Sequence, residues 1–373
     1  MSFKELNEIL TECRKFAKNE IRDQALDADL APDMAWVKGI WSKSVQLDIP
    51  SLLIPEAYDG AGYSPFCCAL VLDALASECA GVASIFAHHF AACIPLIHSD
   101  MNQCEKYIRR ISGAGRNHAM PASVVFPSNM EEENIILAQK EGRPILSGTS
   151  QLTGNTDAAG LFCVFAEDPE NDDGLTCVIL EKNTPGVSFG EDAKLPGLKV
   201  NSFRRITCED VEIAPEAIIG EQGGSLNLMK KAQGAFYGFI AAMAMGSSRT
   251  AYKKAFAYAG ERYQYGKMII EHQEIQRMLG SMLMKLGMGT SGYTHLYHEE
   301  KLNLPFSSSD PMLAKAFCTD AALEIILDAI QIHGGYGYMH EYGLEKIMRD
   351  IKVLQLLGGS NPYHHVQIIA DRY

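Results

Sequence analysis

The order of textures along the chain constrains its fold more than any single motif. Residues 1–118 are mostly helical in pattern. Leu6, Ile9, Leu10 and Cys13 recur at helical spacing, and "SPFCCALVLDALASECAGVASIFAHHFAACIPLI" (64–97) is Ala-rich with few breakers. Between them, Pro50, Pro55, Gly60 and Gly62 punctuate a loop. Near residue 119 the pattern changes to short β-branched or apolar runs such as "LFCVFAED", "GLTCVILEK" and "FRRITCEDVEIAP", separated by Gly, Pro, Asn and Asp. Closely spaced strands of this kind predict a small antiparallel barrel or sandwich over 119–222. From 223 to 373 helical periodicity returns, with Asp310–Pro311 as one start signal. Helices, then strands, then helices make an α+β chain with segregated layers, and exclude an alternating Rossmann arrangement.

A chain of 373 residues can enclose a large shared core. The 46 acidic residues against 33 basic ones give a net charge of −13, which argues against a nucleic-acid partner. Ten scattered cysteines without a C-x-x-C pair imply reduced thiols rather than a disulfide scaffold or zinc site. The longest apolar run, "AQGAFYGFIAAMAM" (232–245), has 14 residues, too few to span a bilayer. The opening "MSFKELNEILTECRKFAKNE" is charged throughout, unlike a signal peptide, and a cytoplasmic location is expected.

Two segments could carry chemistry. In "DAIQIHGGYGYMHEYGLEKIMRD" (328–350) a helix stops at Gly334–Gly335, Tyr336, Tyr338 and Tyr342 surround the turn, and a second helix opens near Leu344. Paired glycines let a backbone approach a phosphate, but they are equally the ordinary signal that ends a helix. In "AYAGERYQYGKMIIEHQEIQRML" (257–279) Arg262 precedes Tyr265–Gly266, and a helix starts near His272. An Arg beside a glycine turn can clamp phosphate through bidentate hydrogen bonds, or it can pair at the surface with Glu261 or Glu271.

Taken together, with 48 residues between them, these segments resemble the C-terminal half of the acyl-CoA dehydrogenase family. "KLPGLKVNSFRRITCEDVEIAPEAIIGEQGGSLNLM" (194–229) and "IPSLLIPEAYDGAGYSP" (49–65) are similar to that family's middle and N-terminal segments. The resemblance implies a helical N-terminal domain, a central antiparallel β-barrel domain and a C-terminal four-helix bundle. It also implies a homo- or hetero-oligomer, a tetramer or dimer of dimers, that binds FAD across a subunit interface. Such enzymes take the α proton of an acyl-CoA with a carboxylate while FAD takes the β hydride, and electron-transfer flavoprotein is the implied electron acceptor. Carried over by position, Arg262 would contact the FAD diphosphate of a neighbouring subunit. Gln331, Gly334 and Gly335 would contact FAD from the other side, Tyr265 would pack near it, and Ser360 would join the cofactor contacts.

The sequence departs from the family pattern where the chemistry lies. The family's base is the Glu of an "EGT" triplet eight residues after "RD"; here that triplet is Gly358–Gly359–Ser360. In a minority of members the base lies on the helix before the Arg motif, where this chain has Phe236 beside Tyr237. The flavin-contacting "TEP.AGSD" is replaced within "PASVVFPSNMEE" (121–132), and "W.(S/T)" is replaced by Leu152 and Gly154. Neither Gly nor Phe takes a proton. Substitute bases are His364 and His365, next to Tyr363, and His88 and His89 on a helix bordering the implied acyl pocket. Glu131, Glu132 and Glu133 suit a solvated charge run. The expectation is an FAD-dependent acyl-CoA dehydrogenase whose base has moved, or a subunit of a heteromeric one. The alternatives are a catalytically silent partner that completes a paralogue's FAD site, or a flavin monooxygenase on the same fold.

Overall fold

The computed structural model describes residues 2–113, 118–128, 133–171, 174–297 and 310–370. The first layer holds α1 (Phe3–Phe16), α2 (Ala25–Leu30), α3 (Met34–Val45), α4 (Pro65–Ala76), α5 (Ala80–Ile97) and α6 (Met101–Ser112). Helix α1 opens on a capping box in which Ser2 and Glu5 satisfy each other's backbone donors. Helix α5 is long and apolar enough to cross a membrane, but it lies inside the protein, packed on α4 and on a helix of the last layer. Its small and apolar residues are hydrophobic all round because every face is covered.

The middle layer contains β1 (Ala122–Val125), β2 (Ile135–Lys140), β3 (Arg143–Thr149), β4 (Thr153–Gly154), β5 (Leu161–Glu167), β6 (Leu175–Glu181), β7 (Val187–Phe189), β8 (Phe203–Arg204), β9 (Ile206–Glu212) and β10 (Ile218–Ile219). The main sheet runs β10-β6-β5-β2-β3-β9-β7, with β1 joined to β5, while β4 and β8 form a separate antiparallel pair. Most ladders are antiparallel, as the short runs predict; β1–β5 and the single β2–β5 pairing are parallel. Strand β1 comes straight from the helical layer rather than from a hairpin, which frees it to run parallel.

The last layer contains α7 (Leu226–Glu261), a hairpin of β11 (Tyr263–Gln264) and β12 (Lys267–Met268), then α8 (Gln273–His295), α9 (Pro311–His333), α10 (Leu344–Leu354) and α11 (Asn361–Ala370). At 36 residues α7 is about 54 Å long and packs on α4, α5, α8 and α9, so it joins the first and last layers. The Asp310–Pro311 start signal is real: Met312 N donates to Asp310 Oδ1 at 2.9 Å, and Pro311 stands at the first turn.

Helix α10 ties all three layers. Arg349 Nη2 donates to Asp29 Oδ2 of α2 at 2.6 Å, and its Nη1 donates to the Pro196 carbonyl at 2.6 Å. Asp350 accepts the Leu198 backbone N–H at 2.7 Å and the Lys346 ammonium at 2.7 Å. Asp29, Lys346 and Asp350 are all buried. Removing one partner of a buried pair leaves a charge with no compensation. Asp350→Ala is therefore expected to lower unfolding free energy by about 3–5 kcal/mol in urea titration. It should also loosen the loop around Leu198 on α10, seen as loss of amide protection there.

Two clefts of a candidate cofactor site

The first cleft, about 610 Å³, is lined by Arg262, Gln264 and Tyr265 around the β11–β12 hairpin and by Gln331, Gly334 and Gly335 at the end of α9. Helix α9 stops at Gly334, whose φ of 58° favours glycine, and a single 3-10 turn carries the chain to Tyr338. A Cβ at either Gly334 or Gly335 would meet nothing within 4 Å, so both backbones face open space. Glu271 is committed to the Met268 N–H at 3.0 Å, and no described residue pairs with the Arg262 guanidinium. The surface ion pair allowed by the sequence is therefore absent among the described residues. Tyr336 packs 5.4 Å from Tyr342, whereas Tyr338 points to solvent and Tyr265 is 94% exposed. An unpartnered guanidinium beside two bare glycines can take a diphosphate.

The second cavity, about 670 Å³, lies between the strand layer and the helices. His88 of α5, Phe126, β4, Phe203, Phe236 of α7 and the Gly358–Gly359 turn line it. Gly358 has φ 71° and Gly359 φ 110°. A Cβ on Gly358 would sit 2.9 Å from Tyr237 Cε1, so the Tyr237 ring stands where a longer side chain at 358 would begin. Burial raises the pKa of the Tyr237 hydroxyl, which keeps it protonated.

Behind the turn lies a buried polar knot. Lys315 Nζ donates to the carbonyls of Gln355 at 2.8 Å and Gly359 at 2.6 Å, and to Asn361 Oδ1 at 2.9 Å. Burial pulls this ammonium down to about 7, since its three acceptors are neutral and Asp320 compensates only in part. His364 is buried, and its Nε2 pairs with the Gly358 carbonyl at 3.1 Å. Burial, aided by Lys315, pulls its pKa down to about 4. His364 thus braces the turn from behind, against Tyr237 at 4.8 Å. His365 is exposed beside a different surface groove, between α8 and α9. Ser360 accepts the Tyr363 N–H at 3.3 Å and so starts α11 rather than lining the cavity.

The histidines of α5 divide in the same way. His89 is used on both nitrogens: Nε2 pairs with the Pro50 carbonyl at 2.9 Å, and Ala122 N donates to Nδ1 at 3.1 Å. It joins α5 to β1. His88 lines the cavity. Of the acidic run, Glu133 pairs with Arg205 at 2.5 Å at the cavity wall instead of being fully solvated, while Glu131 and Glu132 lie outside the described residues. Arg205 and Lys315 were not singled out by sequence. Lys315 leaves a signal, a lone cation in the otherwise apolar "MLAKAFC".

Residues 4–113 match the family model of the acyl-CoA dehydrogenase N-terminal domain, and residues 238–373 match that of its C-terminal domain. The chain belongs to the acyl-CoA dehydrogenase family. An acyl-CoA dehydrogenase of Bacillus subtilis is 27% identical over 96% of this chain and 95% of its own length. Cyclohexane-1-carbonyl-CoA dehydrogenase of Syntrophus aciditrophicus is 27% identical over 96% and 94%. The structure of butyryl-CoA dehydrogenase from Megasphaera elsdenii superposes with a TM-score of 0.87 at 24% identity, covering 98% of each chain. The three-layer acyl-CoA dehydrogenase fold and an oxidoreductase of flavoprotein type are thereby established.

Any side chain at 358 meets Tyr237 and adopts a left-handed backbone, which costs about 1–2 kcal/mol for an L-residue. Gly358→Glu should therefore lower the unfolding free energy by at least that amount in denaturant titration, and should not by itself create an acyl-CoA-dependent activity in a flavin-bleaching assay. The Lys315 pKa is depressed from 10.5 to about 7. Between those values the unfolded chain binds a proton that the folded chain does not, so this group makes stability rise with pH across the window. Lys315→Met removes that contribution, and its melting temperature should vary less between pH 7 and 10 than that of the parent.

Proposed function

We propose that this chain is a subunit of an FAD-dependent acyl-CoA dehydrogenase acting at the α,β bond of an acyl-CoA thioester. The observation that carries this reading is the unpartnered Arg262 guanidinium beside Gly334 and Gly335. Arg262 would hold the cofactor diphosphate, Gln331 and the glycine backbone would approach it from the other side, and Tyr265 would cover it. When bound, FAD supplies the hydride acceptor. Electron-transfer flavoprotein is the proposed electron acceptor, within an oligomer whose neighbouring subunits share each cofactor. The buried, unbridged thiols fit a reducing, cytoplasmic setting.

One observation favours a second version of this reading. At position 358 there is no carboxylate, and Tyr237 takes up the adjoining space. Among the described cavity residues the carboxylate is Glu133, which is committed to Arg205. A chain built in this way can complete the FAD site of a paralogous partner without removing a proton itself.

The chain should be purified alone and with a co-expressed family partner, and the flavin absorbance recorded before and after adding acyl-CoA. Acyl-CoA-dependent bleaching of the lone yellow protein supports independent catalysis. A colourless lone protein that acquires flavin only with its partner supports the silent-subunit version. Absence of flavin in both preparations overturns the proposal. Arg262→Ala removes a charge-assisted hydrogen-bonding group worth about 1.5–3 kcal/mol, so FAD affinity should fall at least about tenfold in equilibrium dialysis.

A further inference from the structure

Strand β4 is where this chain has Gly154 in place of the family's Ser or Thr, and the structure reveals what takes up the vacated volume. A Cβ built on Gly154 would lie 2.4 Å from His88 Nε2 and 2.5 Å from His88 Cε1. The imidazole therefore stands where a side chain at 154 would start, and it can do so only because residue 154 is glycine.

The ring is held by more than this contact. His88 Nδ1 lies 2.7 Å from the Ser84 carbonyl, an acceptor, so Nδ1 carries the proton and Nε2 presents a lone pair. Asn201 Nδ2 donates to Ser84 Oγ at 2.8 Å, steadying the same helical turn. The rings of Phe236, at 5.0 Å, and Phe203, at 5.9 Å, meet the imidazole edge to face. Nε2 itself has no hydrogen-bond partner among the described residues, although His88 is only 3% exposed and lines the cavity. His88 borders a cavity of about 670 Å³, large enough for a ligand to approach this acceptor.

We propose that His88 is a polar contact to the flavin ring system in this cavity, whose lining includes Val124 and Phe126 of the segment that stands in the flavin-contacting position, and that it acts there as a hydrogen-bond acceptor only. This rests on the FAD reading given above. A hydroxyl can donate or accept, so it serves oxidised and reduced flavin alike. An imidazole Nε2 with its proton on Nδ1 can only accept. Adding two electrons and a proton to a flavin turns a ring nitrogen from acceptor into N–H donor. An acceptor-only neighbour therefore favours the reduced form and raises the reduction potential. Burial holds the His88 pKa down to about 4, so the ring stays neutral and keeps this role at physiological pH.

The test is the flavin reduction potential of the FAD-loaded protein, measured with redox dyes, alone or with whichever partner is needed for loading. His88→Phe keeps an aromatic ring and removes the acceptor. It is expected to lower the potential by about 30 mV or more, the equivalent of a tenfold change for a two-electron couple. The double variant His88→Ala with Gly154→Ser returns a hydroxyl, which can donate or accept, so it should recover less than half of that shift. A polar contact without the acceptor-only preference would be restored by that hydroxyl. Should His88→Phe fail to fold, Gly154→Ala acts on the same contact from the strand side by displacing the imidazole, and should lower the potential in the same direction. An unchanged potential in the flavin-loaded His88→Phe protein, or recovery of half or more of the shift in the double variant, overturns the proposal while leaving the FAD reading intact. Absence of flavin from the parent protein in every preparation overturns both.

Discussion

The ion pairs in the middle of α10 hold the site together. Arg349 reaches Asp29 in the first layer and the Pro196 carbonyl in the strand layer, while the neighbouring Asp350 takes the Leu198 N–H and the Lys346 ammonium. Buried pairs of this kind add little net stability relative to apolar packing, but they are specific, because misplacing any partner leaves a charge without compensation. Eight residues separate Asp350 from Gly358. The position of the cavity turn relative to β4 and α5 is thus set by a network that meets the cavity wall at Pro196.

Beyond that anchor the turn depends on its own polar knot. Two glycines with positive φ aim carbonyls backward, where Lys315 and His364 receive them. Lys315 also takes the Gln355 carbonyl near the end of α10, so one buried cation both caps a helix and fixes the loop after it. Both groups have lowered pKa values because they are buried, and neither directs a lone pair or proton at the cavity through these bonds. A perturbed pKa beside a functional turn is here mainly a sign of structural support.

The sequence disclosed the layers well, because period and breaker residues are local properties. The end of α9, the starts of α8 and α10 and the Asp310 cap all lie where Gly, Asp–Pro and apolar spacing put them. Arg262, Gln331 and the Gly334–Gly335 pair, about 70 residues apart, do line one cleft. Side-chain commitments were not legible. His88 and His89 are adjacent and chemically identical, yet one is consumed by Pro50 and Ala122 while the other faces the cavity. Nothing within α5 distinguishes them, since the difference comes from β1 and β4, more than 30 residues away. Lys315 was hidden for the same reason: its acceptors come from the far end of the chain.

The two departures that most obscure the reaction have one physical form. At 358 a glycine on the loop faces Tyr237 on α7, and at 154 a glycine on the strand faces His88 on α5. In each case the loop or strand presents no side chain, and a ring from a packed helix occupies the space. Close-packed interiors tolerate such exchanges only when total volume is kept, so each ring needs its glycine and each glycine its ring. The exchanges move the chemistry as well as the volume. Rings carried by α5 and α7 are fixed by helix packing, whereas a side chain on a turn or a two-residue strand is steadied by far fewer neighbours. The result is that the Tyr237 and His88 rings stand against Gly358 and Gly154, the two positions in the cavity lining that present no side chain.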